Sequence, residues 1–191
     1  KLLEESLKAP PVTLRINTAL TDKSAVIKAF EKQGIDYKDG LCDNSVDILC
    51  GIDISENELY KNGHIYVQDS ASQKAVSVLS PKPGDRVLDM CAAPGSKSFT
   101  MAQLMENKGE IISCDLYEHR THLIFEGAKR LGIDVIKTKT LDASKPLQFE
   151  ERFDAVLCDV PCSGLGVIRK KPDIRFKDLN LYRHIKGVEK R

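Results

Sequence analysis

The chain has 191 residues, of which 41% are hydrophobic and 30% are charged, and its formal net charge is +1. This length and composition are typical of a folded globular protein and exclude a disordered chain, a fibrous chain and a miniature disulfide scaffold. No apolar run approaches the roughly 18 residues of a membrane helix, and the first residues lack the apolar stretch of a signal peptide, so we expect a cytoplasmic protein without a membrane partner.

The first predicted module comprises residues 11–68. VTLRINTAL alternates like a strand, and DKSAVIKAFEKQG predicts a helix with Asp22 as its N-cap and Gly34 as its C-cap. VDILCGI and HIYVQD are typical of short strands separated by polar turns. The pattern predicts a small α+β domain of the ferredoxin or RNA-recognition type, although it lacks the aromatic signature that stacks RNA bases. A structural appendage to the second domain is the alternative.

From residue 69 onward, strands and helices alternate. Helices are expected at SASQKAVSVLS, SKSFTMAQLM and EHRTHLIFEGAKRLG, and strands at RVLDMC, EIISCD, VIKTKT and DAVLCDV. This alternation implies βαβ crossovers and predicts an α/β fold with a mostly parallel sheet. The run AVLC is typical of a strand that is buried on both faces.

The six cysteines are scattered along the chain and form no C-x-x-C pair. This spacing favours reduced thiols over disulfides. We expect buried structural thiols at Cys91, Cys114 and Cys158. The four histidines show no paired ligand spacing, so no metal site is expected.

A loop of small residues follows the first predicted parallel strand, at the sheet edge where ligands bind in such folds. In DMCAAPGSKS, Ala92, Ala93 and Gly95 would let a ligand approach the backbone, and the following helix start offers free N–H groups to an anion. The loop lacks the spacing of a Walker A motif and the glycines of a dinucleotide fingerprint. It favours a ligand with a smaller anionic group, and the alternative is an ordinary strand-helix turn.

Two further acids end predicted strands. Asp115 lies 20 residues after Gly95, the spacing at which an acidic side chain binds ribose hydroxyls, so we expect a ligand that contains adenosine. Asp142 follows VIKTKT and would lie near the adenine. Its alternative role is to cap the turn in LDASKP.

The last predicted strand leads into Asp159-Val-Pro-Cys162. A carboxylate, a rigid proline and a thiol in the ligand crevice form a reactive combination, since a thiolate is a strong nucleophile where nearby positive charge favours it. Residues 169–191 hold 9 Lys and Arg against 3 Asp and Glu, so the near-neutral total hides a basic segment. We expect an RNA backbone to bind there, through Arg169, Lys170, Lys171 and Arg175.

In combination, DMCAAPGSKS, CD at 114–115, LDAS and CDVPCSGLGVIRKKPDIR resemble motifs I to IV of the RNA cytosine-C5 methyltransferases. The last stretch is most similar to the RsmB/Sun (Fmu) branch, which modifies small-subunit ribosomal RNA. The resemblance implies a Rossmann-like S-adenosylmethionine-dependent methyltransferase domain at residues 69–191, preceded by the family's small α+β domain at residues 11–68. It also implies that residues 1–10 are the tail of an upstream helical segment.

The resemblance further implies a role for each motif. The methionine part of the cofactor would lie against the loop, the ribose on Asp115, the adenine near Asp142, and Asp159 between the cofactor and the target cytosine. The loop residues expected to contact the cofactor are Cys91, Ala92, Ala93, Pro94, Gly95, Ser96 and Lys97. In this chemistry a thiolate adds to C6 of the cytosine, which makes C5 nucleophilic enough to take the methyl group.

One motif of the family is missing from the chain. In the RNA enzymes the attacking cysteine belongs to a later Thr-Cys motif, whereas the Pro-Cys thiol, here Cys162, assists product release; no Thr-Cys occurs in these 191 residues. We expect a methyltransferase domain that is incomplete at its carboxyl end and inactive alone, with Asp159 and Cys162 as its catalytic residues. RNA but not DNA is the expected partner, and the protein is expected to be a monomer. Open alternatives are a transfer RNA methyltransferase, a noncatalytic RNA-binding or assembly module and a dinucleotide-dependent oxidoreductase.

Overall fold

A computed structural model describes residues 10–145, 149, 152–162 and 164–176. The chain divides into two units, one spanning Val12–Asp159 and the other formed by Lys1–Pro11 and Val160–Arg191. The expected helical tail at residues 1–10 lies outside the described residues except for its last residue, Pro10. In the ranges that the structure describes, no helix has the length and apolar character needed to cross a membrane.

An antiparallel sheet forms the first part of the larger unit. Its strands are β1 (Val12–Ile16), β2 (Tyr37–Asp39), β3 (Ser45–Ile48) and β4 (Ile65–Val67), and its helices are α1 (Lys23–Gln33) and α2 (Glu58–Lys61). The spatial order is β2-β3-β1-β4, and every neighbouring pair is antiparallel. This is the order of the ferredoxin-like β-α-β-β-α-β arrangement.

Helix α1 has the two ends that its sequence predicts. Asp22 Oδ1 accepts a hydrogen bond from the Ala25 N–H at 2.9 Å, and Gly34 adopts the left-handed φ of 66° that ends the helix. Val26 and Phe30 are fully buried and pack in one core cluster with β1. Strand β2 and helix α2 were not predicted, because elements of three or four residues are too short to show a hydrophobic period.

A parallel sheet follows and confirms the predicted α/β alternation. Its strands are β5 (Arg86–Asp89), β6 (Glu110–Asp115), β7 (Ile136–Thr140) and β8 (Ala155–Leu157), and its helices are α3 (Ser70–Leu79), α4 (Ser96–Leu104) and α5 (Glu118–Arg130). The spatial order is β7-β6-β5-β8, and all neighbours are parallel. This is the 3-2-1-4 order of a doubly wound sheet, in which the strand order reverses between β5 and β8. Ligands bind at the carboxyl side of that reversal.

The expectation that the AVLC segment is buried on both faces is wrong. Val156 in the middle of β8 is 52% exposed, and Cys158 directly after the strand is exposed as well. Strand β8 pairs with β5 on one side and has no second neighbour among the described residues, so it lies at the edge of the sheet there. Apolar composition alone does not distinguish an edge strand from a central one.

The face of the antiparallel sheet that bears Arg15 packs against helices of the parallel sheet through buried polar groups. Arg15 on β1 donates from Nη1 to Gln73 Oε1 at 3.1 Å and from Nε to Gln103 Oε1 at 3.2 Å. Asn17, just beyond β1, donates to the Leu131 carbonyl at 2.9 Å. Because helices α3 and α4 supply these partners, this face is not the open platform on which RNA-recognition domains stack bases.

Candidate active site

The loop that follows β5 is fixed by main-chain hydrogen bonds to the ends of neighbouring strands. The Met90 N–H donates to the Leu157 carbonyl at 3.0 Å, and the Ala92 N–H donates to the Cys114 carbonyl at 2.8 Å. Within the loop, the Gly95 N–H donates to the Ala92 carbonyl at 2.7 Å, and Gly95 has a left-handed φ of 107°. These bonds hold a tight turn at the carboxyl edge of β5, β6 and β8, where the sequence predicted the ligand.

Asp89, the last residue of β5, is a buried carboxyl group beside this loop. It is 1% exposed, and its Oδ2 accepts a hydrogen bond from Ser98 Oγ at 2.7 Å. Burial raises the pKa of Asp89 to about 6, while the Ser98 hydrogen bond and the charge of Lys97 act in the opposite direction. Its Oδ1 accepts no hydrogen bond from the described residues. A buried acceptor without a partner is suited to a donor from a ligand.

Asp115, at the end of β6, and Arg120, which the sequence did not predict as a site residue, both bind the loop that follows β5. Asp115 is 3% exposed, and its Oδ2 accepts a hydrogen bond from the Ala93 N–H at 3.3 Å. Arg120 Nη1 lies 3.1 Å from Asp115 Oδ1, and Arg120 Nη2 donates to the Ala93 carbonyl at 3.1 Å. The signal that could have identified Arg120 is its place in the first turn of α5, five residues after the strand-end acid.

Lys97 and Asp159 form an ion pair in the same region. Lys97 Nζ lies 2.5 Å from Asp159 Oδ2, so the first turn of α4 contacts the segment after β8. The Lys97 side chain is 20% exposed and that of Asp159 is 57% exposed. The Asp159 carboxylate therefore faces solvent, where a ligand can reach it, whereas the Lys97 side chain is largely covered.

Asp142 is engaged in its own turn. Its Oδ1 accepts hydrogen bonds from Ser144 Oγ at 2.7 Å and from the Ser144 N–H at 3.0 Å, and Lys145 Nζ lies 3.6 Å from Oδ2. The hydrogen bonds from Ser144 hold the pKa of Asp142 below its usual value. This geometry is that of the capping alternative, in which the side chain organises the LDASKP turn.

The cysteines at the strand ends differ in environment. Cys114 is fully buried in β6, and burial raises its pKa to about 12. Cys91, in the loop, is partly buried, and burial raises its pKa to about 11, with a further contribution from the neighbouring Cys158. Both are therefore neutral thiols at physiological pH and unsuited to nucleophilic attack. The prediction of a buried thiol is confirmed for Cys114, whereas it is wrong for the exposed Cys158.

The remaining predicted residues belong to the second unit, which is described by itself. Cys162 is exposed, and its Sγ accepts a hydrogen bond from the Gly164 N–H at 3.4 Å. Arg169, Lys170 and Lys171 are exposed as well. The Arg175 side chain lies outside what the structure describes. The structure thus brings together the loop, Asp115 and Asp159 in the larger unit, and it leaves Cys162 and the basic residues in the other.

The residues assembled in the larger unit fit an adenosine ligand with a short charged tail. Asp89 carries a buried Oδ1 that accepts no hydrogen bond from the described residues, and the buried Asp115 Oδ1 is paired with Arg120 Nη1. The loop beside them is built from small residues, and the N-terminus of α4 offers its amide groups to an anion. These features accommodate the cofactor that the sequence resemblance implies.

Comparison with known sequences identifies related proteins over most of the chain. The sequence pattern described as 16S rRNA methyltransferase RsmB/F matches residues 76–186. The probable ribosomal RNA small subunit methyltransferase B of Bacillus subtilis is 41% identical over 179 residues, which are 92% of this chain and 40% of that protein. The chain therefore spans about two fifths of the length of the curated relatives it matches.

Comparison with solved structures agrees. The crystal structure of a protein named PH0851 superposes with a TM-score of 0.90 and 31% sequence identity, covering 96% of this chain and 43% of that one. A methyltransferase homolog protein from Pyrococcus horikoshii has a TM-score of 0.76 and 29% identity, covering 91% of this chain and 58% of that one. The arrangement of both sheets is therefore shared with solved relatives.

Proposed function

Because the chain belongs to the 16S rRNA methyltransferase RsmB/F family, we propose that it forms the cofactor-binding part of an enzyme that methylates C5 of a cytosine in small-subunit ribosomal RNA. The observation that carries the proposal is that Asp115 and Arg120 both form hydrogen bonds with the main chain of Ala93. This residue lies in the loop beside the buried Asp89. This arrangement presents an unpaired buried acceptor on Asp89, the Asp115 carboxylate and an open backbone loop at one place.

The chain's residues would hold S-adenosylmethionine in three parts. Asp115 accepts the ribose hydroxyls, the loop from Cys91 to Lys97 lies along the methionine part, and Asp142 lies beside the adenine. The amide groups at the start of α4 bind the methionine carboxylate, and Asp89 Oδ1 accepts from its ammonium group. When bound, the cofactor supplies an electrophilic methyl group on a positively charged sulfur.

Asp159 is proposed to orient the target base. A carboxylate accepts a hydrogen bond from the exocyclic amino group of cytosine, and Asp159 is exposed at the carboxyl edge where the base must enter. Lys97 balances its charge and fixes its position from the covered side. The base has to leave its stack to reach this point, which costs least in a single-stranded or looped RNA.

The thiol chemistry assigns a further role to Cys162. C5 of cytosine is a weak nucleophile until a thiolate adds to C6, and loss of the C5 proton after methyl transfer expels the thiol. We assign product release to Cys162 and the attack to a Thr-Cys cysteine, which this chain does not contain. On this assignment the 191-residue chain binds the cofactor but does not methylate RNA.

The basic segment supplies the RNA contacts in this proposal. Arg169, Lys170, Lys171 and Arg175 would neutralise phosphates on either side of the target nucleotide, which makes binding strongly salt-dependent. A cytoplasmic location belongs to the same proposal, because ribosomal RNA and six free cysteines both fit a reducing compartment.

Calorimetric titration of the chain with S-adenosylhomocysteine and, separately, with NAD tests the cofactor assignment. We expect binding of S-adenosylhomocysteine alone, and we expect Asp115→Asn to weaken it about tenfold or more, because the substitution removes the negative charge and replaces one of the two acceptor oxygens by an NH2 donor. Asp134→Asn, a matched change at an exposed position outside the site, should leave binding unchanged. Binding of NAD, or equal binding by the Asp115→Asn variant, would contradict the proposal.

A further inference from the structure

The ring of Phe99 lies directly beneath the glycine of the cofactor loop. Phe99 is on α4 and is 4% exposed. A Cβ atom placed on Gly95 would lie 2.5 Å from Phe99 Cζ and 2.9 Å from Cε1, so the loop backbone rests on the tip of the ring. The left-handed φ of Gly95 already favours glycine, and the ring adds a second, steric reason for its place in the loop.

A second glycine contacts the same ring from α5. A Cβ atom on Gly127 would lie 2.5 Å from Phe99 Cζ and 2.9 Å from Cε2. Gly127 sits in the interior of the helix, where glycine is unfavourable relative to alanine. Its lack of a side chain is what leaves room for the ring.

The ring has little freedom to move out of this slot. Its tip lies between Gly95 and Gly127, and the ring of Tyr66 meets it edge-on, with centroids 6.0 Å apart and an interplanar angle of 86°. Phe99 also belongs to the main core cluster, together with Ile124 and Ala128 of α5. A side chain added at Gly127 would therefore push the Phe99 ring, and the ring would push the loop at Gly95.

We propose that Phe99 is a positioning residue for the cofactor loop: its ring, seated in the space that Gly127 leaves open, sets the position of Gly95 and thereby the affinity for the cofactor. This inference rests on the proposed function, since it takes the loop to be the cofactor site. It adds a buried residue of α4 beneath the loop, and a partner glycine on another helix, to the groups that determine binding.

The test compares S-adenosylhomocysteine binding by the chain with that of its Gly127→Ala, Phe99→Leu and Phe99→Leu/Gly127→Ala variants. The added methyl group in Gly127→Ala pushes the ring toward Gly95, and we expect affinity to fall about tenfold, the usual scale of an overpacked core. Phe99→Leu removes the support and should weaken binding severalfold. In the double variant the new methyl group fills the space that the ring vacates, so affinity should return to within about threefold of the original.

Gly51→Ala is the matched control, because Gly51 has nothing within 4 Å of its Cβ position and no left-handed φ. Thermal unfolding is recorded for every variant, since a helix-interior Gly→Ala change on its own favours the helix. Recovery of affinity in the double variant, measured below the unfolding temperature of every variant, is the signature of positioning rather than of general damage.

Two outcomes overturn the inference. One is unchanged affinity in Gly127→Ala, which would mean that the ring yields without moving the loop, and the other is additive losses in the double variant, which would mean that the two residues act independently. If Gly127→Ala does not fold, the same decision comes from Phe99→Leu and the double variant. Failure of the unaltered chain to bind S-adenosylhomocysteine is a different result, which contradicts the proposed function itself.

Discussion

Lys97 Nζ lies 2.5 Å from Asp159 Oδ2, and this ion pair connects the first turn of α4 with the segment that follows β8. The Asp159 side chain is 57% exposed, so solvent screens the pair and its contribution to folding is small. The pair matters instead for the balance of charge at the proposed cofactor site, because Lys97 places a positive charge close to the carboxyl groups of Asp89 and Asp159.

The first prediction concerns the ratio of affinities for two forms of the cofactor. S-adenosylmethionine carries one positive charge more than S-adenosylhomocysteine, so a site that loses a cation should come to favour the former. We expect Lys97→Met to raise the affinity for S-adenosylmethionine relative to S-adenosylhomocysteine about threefold, and Asp159→Asn to lower it. Calorimetry with both ligands gives the ratio, which general damage to the site would not alter.

Lys97→Arg is the control, since it keeps the charge and should keep the ratio. A shift in the same direction for Lys97→Met and Asp159→Asn would show that the pair acts through geometry and not through charge.

The strand-end rules of parallel sheets predicted where several residues of the candidate site lie in the fold. The loop after β5, Asp115 and Asp159 were all placed correctly at one edge, because the hydrophobic runs of the strands and the glycine and proline of the turn are strong local signals. The caps of α1 at Asp22 and Gly34 followed from the same kind of local chemistry.

What the sequence could not predict depends on contacts between distant segments. Arg120 belongs to a helix whose charged residues resemble an ordinary solvated surface, and only the fold places its guanidinium on Ala93. Asn17 and Leu131 are far apart in the chain yet are hydrogen-bonded. The depth at which Asp89 is buried is likewise set by the layers packed around it, not by its own neighbours in sequence.

The second prediction is a pH dependence of stability caused by Asp89. Its pKa is about 6 in the folded chain against a usual value of 3.8, so between these values the folded state holds more protons than the unfolded state. The contribution of Asp89 to the free energy of unfolding therefore decreases as the pH rises through this window, by about 2 to 3 kcal/mol in total. Asp89→Asn removes the titrating group while its amide oxygen can still accept from Ser98.

Urea denaturation at pH 4, 5, 6 and 7 checks this prediction. The stability of Asp89→Asn relative to the unaltered chain should increase with pH across the series and level off above about pH 7. Asp43→Asn, an exposed change of the same kind, controls for the loss of one negative charge. A difference between the chain and Asp89→Asn that is constant with pH would rule out the carboxyl group as its source.

The third prediction concerns the polar contact between the two sheets. Asn17 is fully buried, and its Nδ2 donates at 2.9 Å both to the Gly63 carbonyl and to the Leu131 carbonyl. Its Oδ1 accepts from Gln103 Nε2 at 3.2 Å. Asn17→Leu leaves these buried groups without partners, and we expect a loss of about 2 to 4 kcal/mol in the free energy of unfolding.

Guanidinium denaturation measures the loss, with the exposed Asn62→Leu as the matched control. If Asn17→Leu cost less than about 1 kcal/mol, the polar contacts between β1 and the helices would not be what holds the two sheets together.

The fourth prediction separates the two roles that a Pro-Cys thiol can have, and it requires a protein extended to the full length of the curated relatives. If Cys162 assists release, Cys162→Ala should accumulate a covalent complex with RNA that carries the transferred methyl group, because attack and methyl transfer proceed while expulsion of the attacking thiol is slowed. A denaturing gel with labelled RNA and labelled cofactor detects such a complex. Cys50→Ala, at a partly buried thiol in the antiparallel-sheet region, should turn over normally. The absence of both complex and methyl transfer in Cys162→Ala would instead identify Cys162 as the nucleophile, and the 191-residue chain would then contain the attacking thiol.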